Sequence, residues 1–312
     1  MDPARKILLH EVGPRDGLQV EARVVPTETK ADWIGRLSTS GLDAVQVGSF
    51  VHPEKVPQMA DTDALFRKLT AHGAPGRRAV LSGLVLNERG LERALASGVE
   101  LLCMGVSASE THSRKNTGMG TEEAARRIVA MASQAVAAGT PVQVAVQSAF
   151  GCGYEGLVPE ERVLSICRAY LEAGLTRISL ADTAGHAHPA QVTRLYSRLL
   201  GLAPGIETAC HFHDTYGVGM ANVFAALDVG VTSFESSFAG LGGCPFTKVA
   251  AGNVATEDLV HALQQMGGRP DVDLDALIRV ARDVAAFFGR EMPGHVYKTG
   301  PVRAVAGAGA AA

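Results

Sequence analysis

HFHDTYGVGMAN, residues 211–222, follows the short strand-like segment Ile206–Cys210 and runs into a helical stretch. On a strand, residues i and i+2 project to the same face, so His211 and His213 present two imidazoles side by side at a strand end. The turn Asp214-Thr215-Tyr216-Gly217 then carries the chain away. A strand that ends in polar residues and feeds a helix is one βα unit, and how often that unit recurs decides the fold. Taken alone, the HxH pair reads more readily as two hydrogen-bonded histidines than as half of a metal site, and the rest of the chain reverses that order.

The unit recurs along nearly the whole chain. Candidate strands are Ile7–Val12, Ala44–Val47, Ala79–Leu84, Leu101–Val106, Val142–Gln147, Arg177–Leu180, Glu207–His211 and Ser233–Ser237. Helical patterns such as Thr27–Ser40, Thr121–Ala137, Pro159–Ala173 and Pro189–Leu200 lie between them. Thr121-Glu122-Glu123 and Pro159-Glu160-Glu161 place carboxylates in a first helical turn, where the helix dipole favours them. Most of the strands are short and largely apolar, as parallel strands buried on both faces should be. This alternation, mostly without Pro/Gly-rich linkers, predicts an α/β fold, a (β/α)8 TIM barrel in a single domain. A doubly wound open sheet is the alternative, disfavoured because no GxGxxG follows the first strand. Val272–Phe288 reads as an extra C-terminal helix. The catalytic domain is expected over residues 1–290 and a tail over 291–312, whose Gly/Ala end Ala306–Ala312 should fray.

The bulk properties fit one such barrel. The 312 residues are 46% hydrophobic and 20% charged, with a formal net charge of −3 and no Lys/Arg block, which argues against nucleic acid. The N-terminus lacks the apolar core of a signal peptide, and no run reaches the roughly 18 apolar residues of a spanning helix. A cytoplasmic protein without a membrane partner is expected. The five cysteines, Cys103, Cys152, Cys167, Cys210 and Cys244, are scattered without CxxC spacing, so reduced thiols are the default.

A barrel demands that chemistry sit just after the strands. Arg15, Asp16 and Gln19 follow the first strand, Gln46 and Ser49 end the second, Asp182 and Thr183 follow the sixth, and His211 and His213 end the seventh. The eighth leads to Gly240–Cys244 and then Asn253. Asp16, His211, His213 and Asn253 together offer a carboxylate oxygen, two nitrogens and an amide oxygen. That set suits a divalent metal, Mg2+ or Mn2+ first, with Zn2+ or Co2+ as substitutes in vitro. Arg15 reads either as a barrel-mouth arginine paired with a carboxylate such as Glu11 or as a fixed positive charge beside a developing oxyanion. Cys244 sits among three glycines and a proline, a setting for a reactive rather than a buried thiol. Cys152, in Gly151-Cys152-Gly153, reads as structural. Gln19, Ser49, Asn87, Ser107 and Thr183 are the candidate substrate-binding positions.

These segments together strongly resemble the 3-hydroxy-3-methylglutaryl-CoA (HMG-CoA) lyase family, within the wider group of metal-dependent TIM-barrel lyases and Claisen-type synthases. The matching stretches are EVGPRDGLQ (Glu11–Gln19), GSFVHPEKVPQMAD (Gly48–Asp61), SASETHSRKN (Ser107–Asn116), FGCGYEG (Phe150–Gly156), SLADTAG (Ser179–Gly185), HFHDTYG (His211–Gly217) and GLGGCPFTKVAAGNVATEDLV (Gly240–Val260). The resemblance implies retro-Claisen cleavage of an acyl-CoA substrate whose hydroxyl and carboxylate bind the metal. Arg15 would stabilise the enolate oxygen of acetyl-CoA, and Cys244 would protonate its carbon. It also implies a homodimer.

The chain departs from the family pattern around the substrate. Gln46 stands where the family usually has a glutamate, and glutamine cannot accept a proton at neutral pH. If a base is needed there, the role passes to His211 or Asp182. Val20-Glu21-Ala22 replaces a common Asn-Glu-Lys, and Ala145 replaces a frequent tyrosine. Thr111-His112 and Pro293–Pro301 also look unlike the family. An altered acyl pocket is therefore expected. A Claisen-type synthase or aldolase on the same barrel is the alternative, disfavoured by the intact GLGGCP and by the absence of a C-terminal extension. A catalytically silent barrel is least in keeping with Arg15, Asp16, Cys244 and Asn253 together.

Overall fold

Eight parallel strands close on themselves in sequence order in the computed structural model, which describes residues 7–70, 79–243 and 252–302. The strands are β1 (Leu8–Glu11), β2 (Ala44–Ser49), β3 (Val80–Leu84), β4 (Leu101–Ser107), β5 (Val142–Gln147), β6 (Arg177–Asp182), β7 (Glu207–Phe212) and β8 (Ser233–Ser236). The barrel shuts where β8 pairs with β1, Leu8 opposite Ser233 through Glu11 opposite Ser236. Helices α1 (Thr27–Ser38), α2 (Thr62–Thr70), α3 (Glu88–Ser97), α4 (Glu110–Thr117), α5 (Thr121–Ala137), α6 (Glu160–Glu172), α7 (Pro189–Leu200), α8 (Gly219–Val229) and α9 (Thr256–Gln265) surround it. The barrel expectation holds. No helix among the described residues is long and apolar enough to cross a membrane.

Two layers of packing follow from the period-2 alternation of the strands. Leu9, Val45, Leu81, Leu102, Val144, Ile178, Cys210 and Phe234 are buried outward against the helices. The lumen face departs from the apolar expectation. His10 Nε2 lies 2.7 Å from Ser82 Oγ, and Gln143 Nε2 donates across the lumen to Glu235 Oε1 at 2.6 Å. These pairs join strands that are not neighbours, so they can meet only inside the barrel. Paired polar groups there replace the aliphatic layers common in such barrels, and the partner each one finds offsets part of its desolvation cost. A cavity of about 240 Å3 opens at the N-terminal end of the strands, lined by His10, Gln143, Arg177 and Glu207 among others. It lies at the end opposite the candidate residues and contains none of them.

The C-terminal part extends the outer layer. Helix α10 (Leu274–Phe288), capped by Asp273 Oδ1 accepting from Ala276 N at 2.8 Å, packs on α1. The boundary expected at 290 does not coincide with a break in packing. Met292, Val296 and Tyr297 are buried, and the turn α11 (Val296–Thr299) sits against α9 and α10. Asp258 accepts from Val296 N at 2.7 Å, and Arg282 Nε donates to Tyr297 O at 2.8 Å. The Gly/Ala end, Ala306–Ala312, lies outside the described residues.

Candidate active site and metal centre

The turn after β1 is a tight π-helical one, Gly13–Gly17, anchored by Asp16 N donating to Val12 O at 2.7 Å. Gly13 makes it fit, since a Cβ there would come within 2.6 Å of Glu11 Oε1 and 2.8 Å of Ser237 Oγ. The turn delivers Arg15 and Asp16 to the C-terminal mouth. Arg15 Nη1 donates to Asp16 Oδ1 at 2.6 Å, and Arg15 Nε donates to Gln46 Oε1 from β2. Glu11, the alternative partner for Arg15, points the other way and accepts from Phe238 N at 2.9 Å.

β7 brings the histidines. His211 Nε2 and His213 Nε2 are 3.1 Å apart, with Asp16 Oδ2 at 3.8 Å from the first and 4.0 Å from the second. Residues 252–254 run beside the end of β7, where Asp214 N donates to Gly252 O and Val254 N to Phe212 O. That pairing places Asn253, whose Nδ2 donates to Asp16 Oδ2 at 2.8 Å and to Leu241 O at 2.9 Å. Asn253 therefore turns its amide nitrogen to Asp16, and its buried Oδ1, the atom expected to serve as a ligand, has no partner among the described residues. Turning the amide over would exchange the two ends.

The charges are set by burial and by each other. Burial alone would raise the Asp16 carboxyl, but Arg15, His211 and His213 outweigh it and hold it well below the usual carboxylate range. Burial also works to lower His211, yet the bond to Glu235 and the Asp16 charge leave it raised. His213 is pushed down to about 4 by burial and then by His211. A carboxylate and two imidazoles thus turn ligand atoms to one point, all within 4.8 Å of one another. Two ligands on adjacent ~2.1 Å bonds of an octahedral ion stand ~3.0 Å apart, close to the histidine spacing. The donor set and the orphaned amide oxygen fit a divalent cation.

The other expected residues are distributed differently. Asp182 is fully buried and turned away from the lumen, with its oxygens accepting from His186 N at 2.8 Å and Ala187 N at 3.1 Å. Burial pushes it up to about 7, but this geometry makes it the clamp of the β6–α7 loop. Thr183 Oγ1 accepts from Ser148 N, and Ser107 Oγ from Ser109 N. Asn87 caps α3 by accepting from Gly90 N at 2.9 Å. Ser49 is buried at the end of β2, and Gln19 is half-buried one turn past Asp16. Cys152 is buried in a two-way backbone pairing with Gly156. Cys244 lies outside the described residues.

Two groups escaped the sequence reading. Glu235 on β8 holds His211 Nδ1 at 2.9 Å. Glu257, in the first turn of α9, accepts from Ala239 N at 3.1 Å, beside the segment that Glu11 grips through Phe238 N and Thr256 Oγ1. The Asp/Glu-rich first turn Thr256-Glu257-Asp258 was a visible helix-start signal, but only the fold shows that Glu257 faces inward.

Burial pushes Glu11 up to about 7 and Glu257 to about 8, from 4.5. A folded-state pKa above the unfolded one means that the folded state holds the proton more tightly. The contribution is complete below the unfolded pKa and is lost as pH rises through 7 to 8. Urea unfolding is expected to show stability lower by about 4 kcal/mol at pH ~8.5 than at pH ~6, the larger part of it from Glu257. Glu257→Gln should flatten that slope, and an unchanged slope in the variant would remove Glu257 as its source.

Comparison with known proteins places this mouth in a lineage. The HMGL-like family model matches residues 6–284. The chain belongs to the HMGL-like family. It is 40% identical to the hydroxymethylglutaryl-CoA lyase YngG of Bacillus subtilis over 93% of this chain and 95% of that one. It is 38% identical to the (R)-citramalyl-CoA lyase of Chloroflexus aurantiacus, covering 95% of each. Its fold matches an HMG-CoA lyase from Acenitobacter baumannii, solved with coenzyme A and 3-methylmalate, with a TM-score of 0.89 and 37% identity over 96% of this chain and 98% of that one. This HMGL-like chain is a carbon–carbon lyase.

Proposed function

We propose that this protein is a divalent-metal-dependent lyase that cleaves HMG-CoA, or a close 3-hydroxyacyl-CoA analogue, to acetyl-CoA and a keto acid. The observation that carries the reading is the convergence of Asp16, His211 and His213 on one point beside Arg15. Asp16, His211 and His213 would hold the ion, and the Asn253 amide would add its oxygen once turned over. Mg2+ or Mn2+ suits these hard ligands and supplies Lewis-acid polarisation of the substrate's hydroxyl and carboxylate oxygens. A base at the mouth, the role the sequence reading gives to His211 or Asp182, would take the hydroxyl proton. The O–H electron pair becomes the C=O of the keto acid, the C2–C3 bond breaks, and its electron pair passes into the thioester enolate. Arg15 presents a guanidinium charge to the enolate oxygen, and Gln46 and Asp16 fix its direction. Cys244 would return a proton to the enolate carbon. The same reading makes the protein a cytoplasmic homodimer acting on a small thioester, with neither nucleic acid nor membrane as partner.

The acyl group is the second part of the proposal. HMG-CoA and citramalyl-CoA share the 3-hydroxy-3-methyl thioester end and differ by one methylene before the carboxylate, so a pocket separates them by only about 1–3 kcal/mol. Ala145 pairs with Gly105 on β4, so two small residues form the lumen wall where the family often has a tyrosine. A citramalyl-type substrate is the second reading, favoured by the 38% identical relative of that name. Purified protein with Mn2+ should release acetyl-CoA from HMG-CoA, citramalyl-CoA or a 3-substituted analogue, with acetoacetate or pyruvate identifying the first two. A chelator should stop the release. Release from none of them, or release indifferent to the chelator, would sink the proposal.

A further inference from the structure

Glu235 is the third residue of β8, and its carboxylate lies inside the barrel. It pairs in register with His211 on β7 and with His10 on β1. One oxygen, Oε2, accepts from His211 Nδ1 at 2.9 Å. The other, Oε1, accepts from Gln143 Nε2 on β5 at 2.6 Å and from Ser179 Oγ on β6 at 3.4 Å. Four strands therefore meet at one buried carboxylate, and the two donors on Oε1 leave Oε2 for the histidine.

An imidazole that donates from Nδ1 keeps its lone pair on Nε2. In His211, Nε2 is the atom that faces His213 and Asp16. A buried charge kept only for packing would be a poor choice, because apolar side chains fill a lumen at lower desolvation cost. A carboxylate behind a histidine, itself hydrogen-bonded, is the arrangement that orients a metal-binding ring and raises its basicity.

We propose that Glu235 is the positioning residue of this centre, locking His211 in the Nδ1–H tautomer and aiming Nε2 at a divalent cation. Gln143 and Ser179 hold Glu235 in turn. The inference rests on the reading of Asp16, His211 and His213 as cation ligands, and its test separates the two.

Mn2+ titration of the metal-free protein, followed by electron paramagnetic resonance of the unbound ion, supplies a readout apart from activity. Glu235→Gln is expected to weaken Mn2+ binding by about 10–100-fold while the metal-free melting temperature stays within a few degrees of the parent. Glu235→Asp, which keeps the charge, should recover part of the loss. If the parent protein does not bind Mn2+, the ligand reading itself fails. If the parent binds and Glu235→Gln binds equally well, the positioning role fails. Nitrogen-15 shifts of the His211 ring in the unmodified metal-free protein at alkaline pH cover the case of a variant that does not fold. They should report a proton on Nδ1, and a proton on Nε2 would overturn the proposal.

Discussion

Arg15→Met is expected to lower kcat by about 100–1000-fold with little change in KM. The guanidinium is only 12% exposed and is held on two sides, by Asp16 Oδ1 at 2.6 Å and by the Gln46 amide oxygen. A group fixed before the substrate arrives needs no reorganisation when negative charge develops on the enolate oxygen. Its effect therefore falls on the transition state rather than on binding. Arg15→Lys should rescue little, because an ammonium is a point charge without the planar fork that reaches Gln46 and Asp16 together. Steady-state kinetics on the best thioester checks this. A methionine variant that keeps more than a tenth of kcat would show that the enolate finds its positive charge elsewhere.

The second large effect is expected at His213. His213→Ala leaves Arg15, Asp16, His211 and Glu235 in place but removes one of the two nitrogens that face each other at 3.1 Å. Mn2+ affinity should fall by at least ~100-fold, beyond the loss usual for an outer partner of a ligand, and turnover with it. Binding by the parent protein should also weaken as pH drops, since a proton competes for His211, whose pKa is raised. Calorimetric titration with Mn2+ measures both. Undiminished affinity in the alanine variant would remove His213 from the ligand set.

The mouth of the barrel was legible because its residues announce themselves locally. The i, i+2 histidines and the Pro14-Arg15-Asp16 turn each carry their spacing in a few adjacent positions. The bounds of β5, α5 and α7 agree with the hydrophobic periodicity for the same reason. β6 runs on to Asp182, past the Leu180 expected, because a polar residue at a strand end reads as loop until its backbone pairing with Phe212 is seen. Glu235 was illegible. A lone glutamate in Ser-Phe-Glu-Ser has the pattern of a solvent-facing position, and its partners lie 24, 56 and 92 residues away. Only closure of the barrel brings them together. The packing after 290 has no local signal, because Pro293 and Gly294 break helical periodicity and burial of Tyr297 depends on surfaces made by α9 and α10.

The amide at Gln46 changes how the mouth looks to an approaching molecule. With a carboxylate in that place, Arg15 would be flanked by two negative groups, and the pair Asp16 and residue 46 would outvote it. With glutamine, Arg15 and Asp16 cancel, and a bound divalent cation leaves the entrance positive. An acyl-CoA carries several negative charges, so under the proposed function a metal-loaded entrance would draw it in from solution rather than tolerate it on arrival. Such attraction acts over about a Debye length and fades with salt. The dependence of kcat/KM on ionic strength thus becomes a property written into the side chain at position 46.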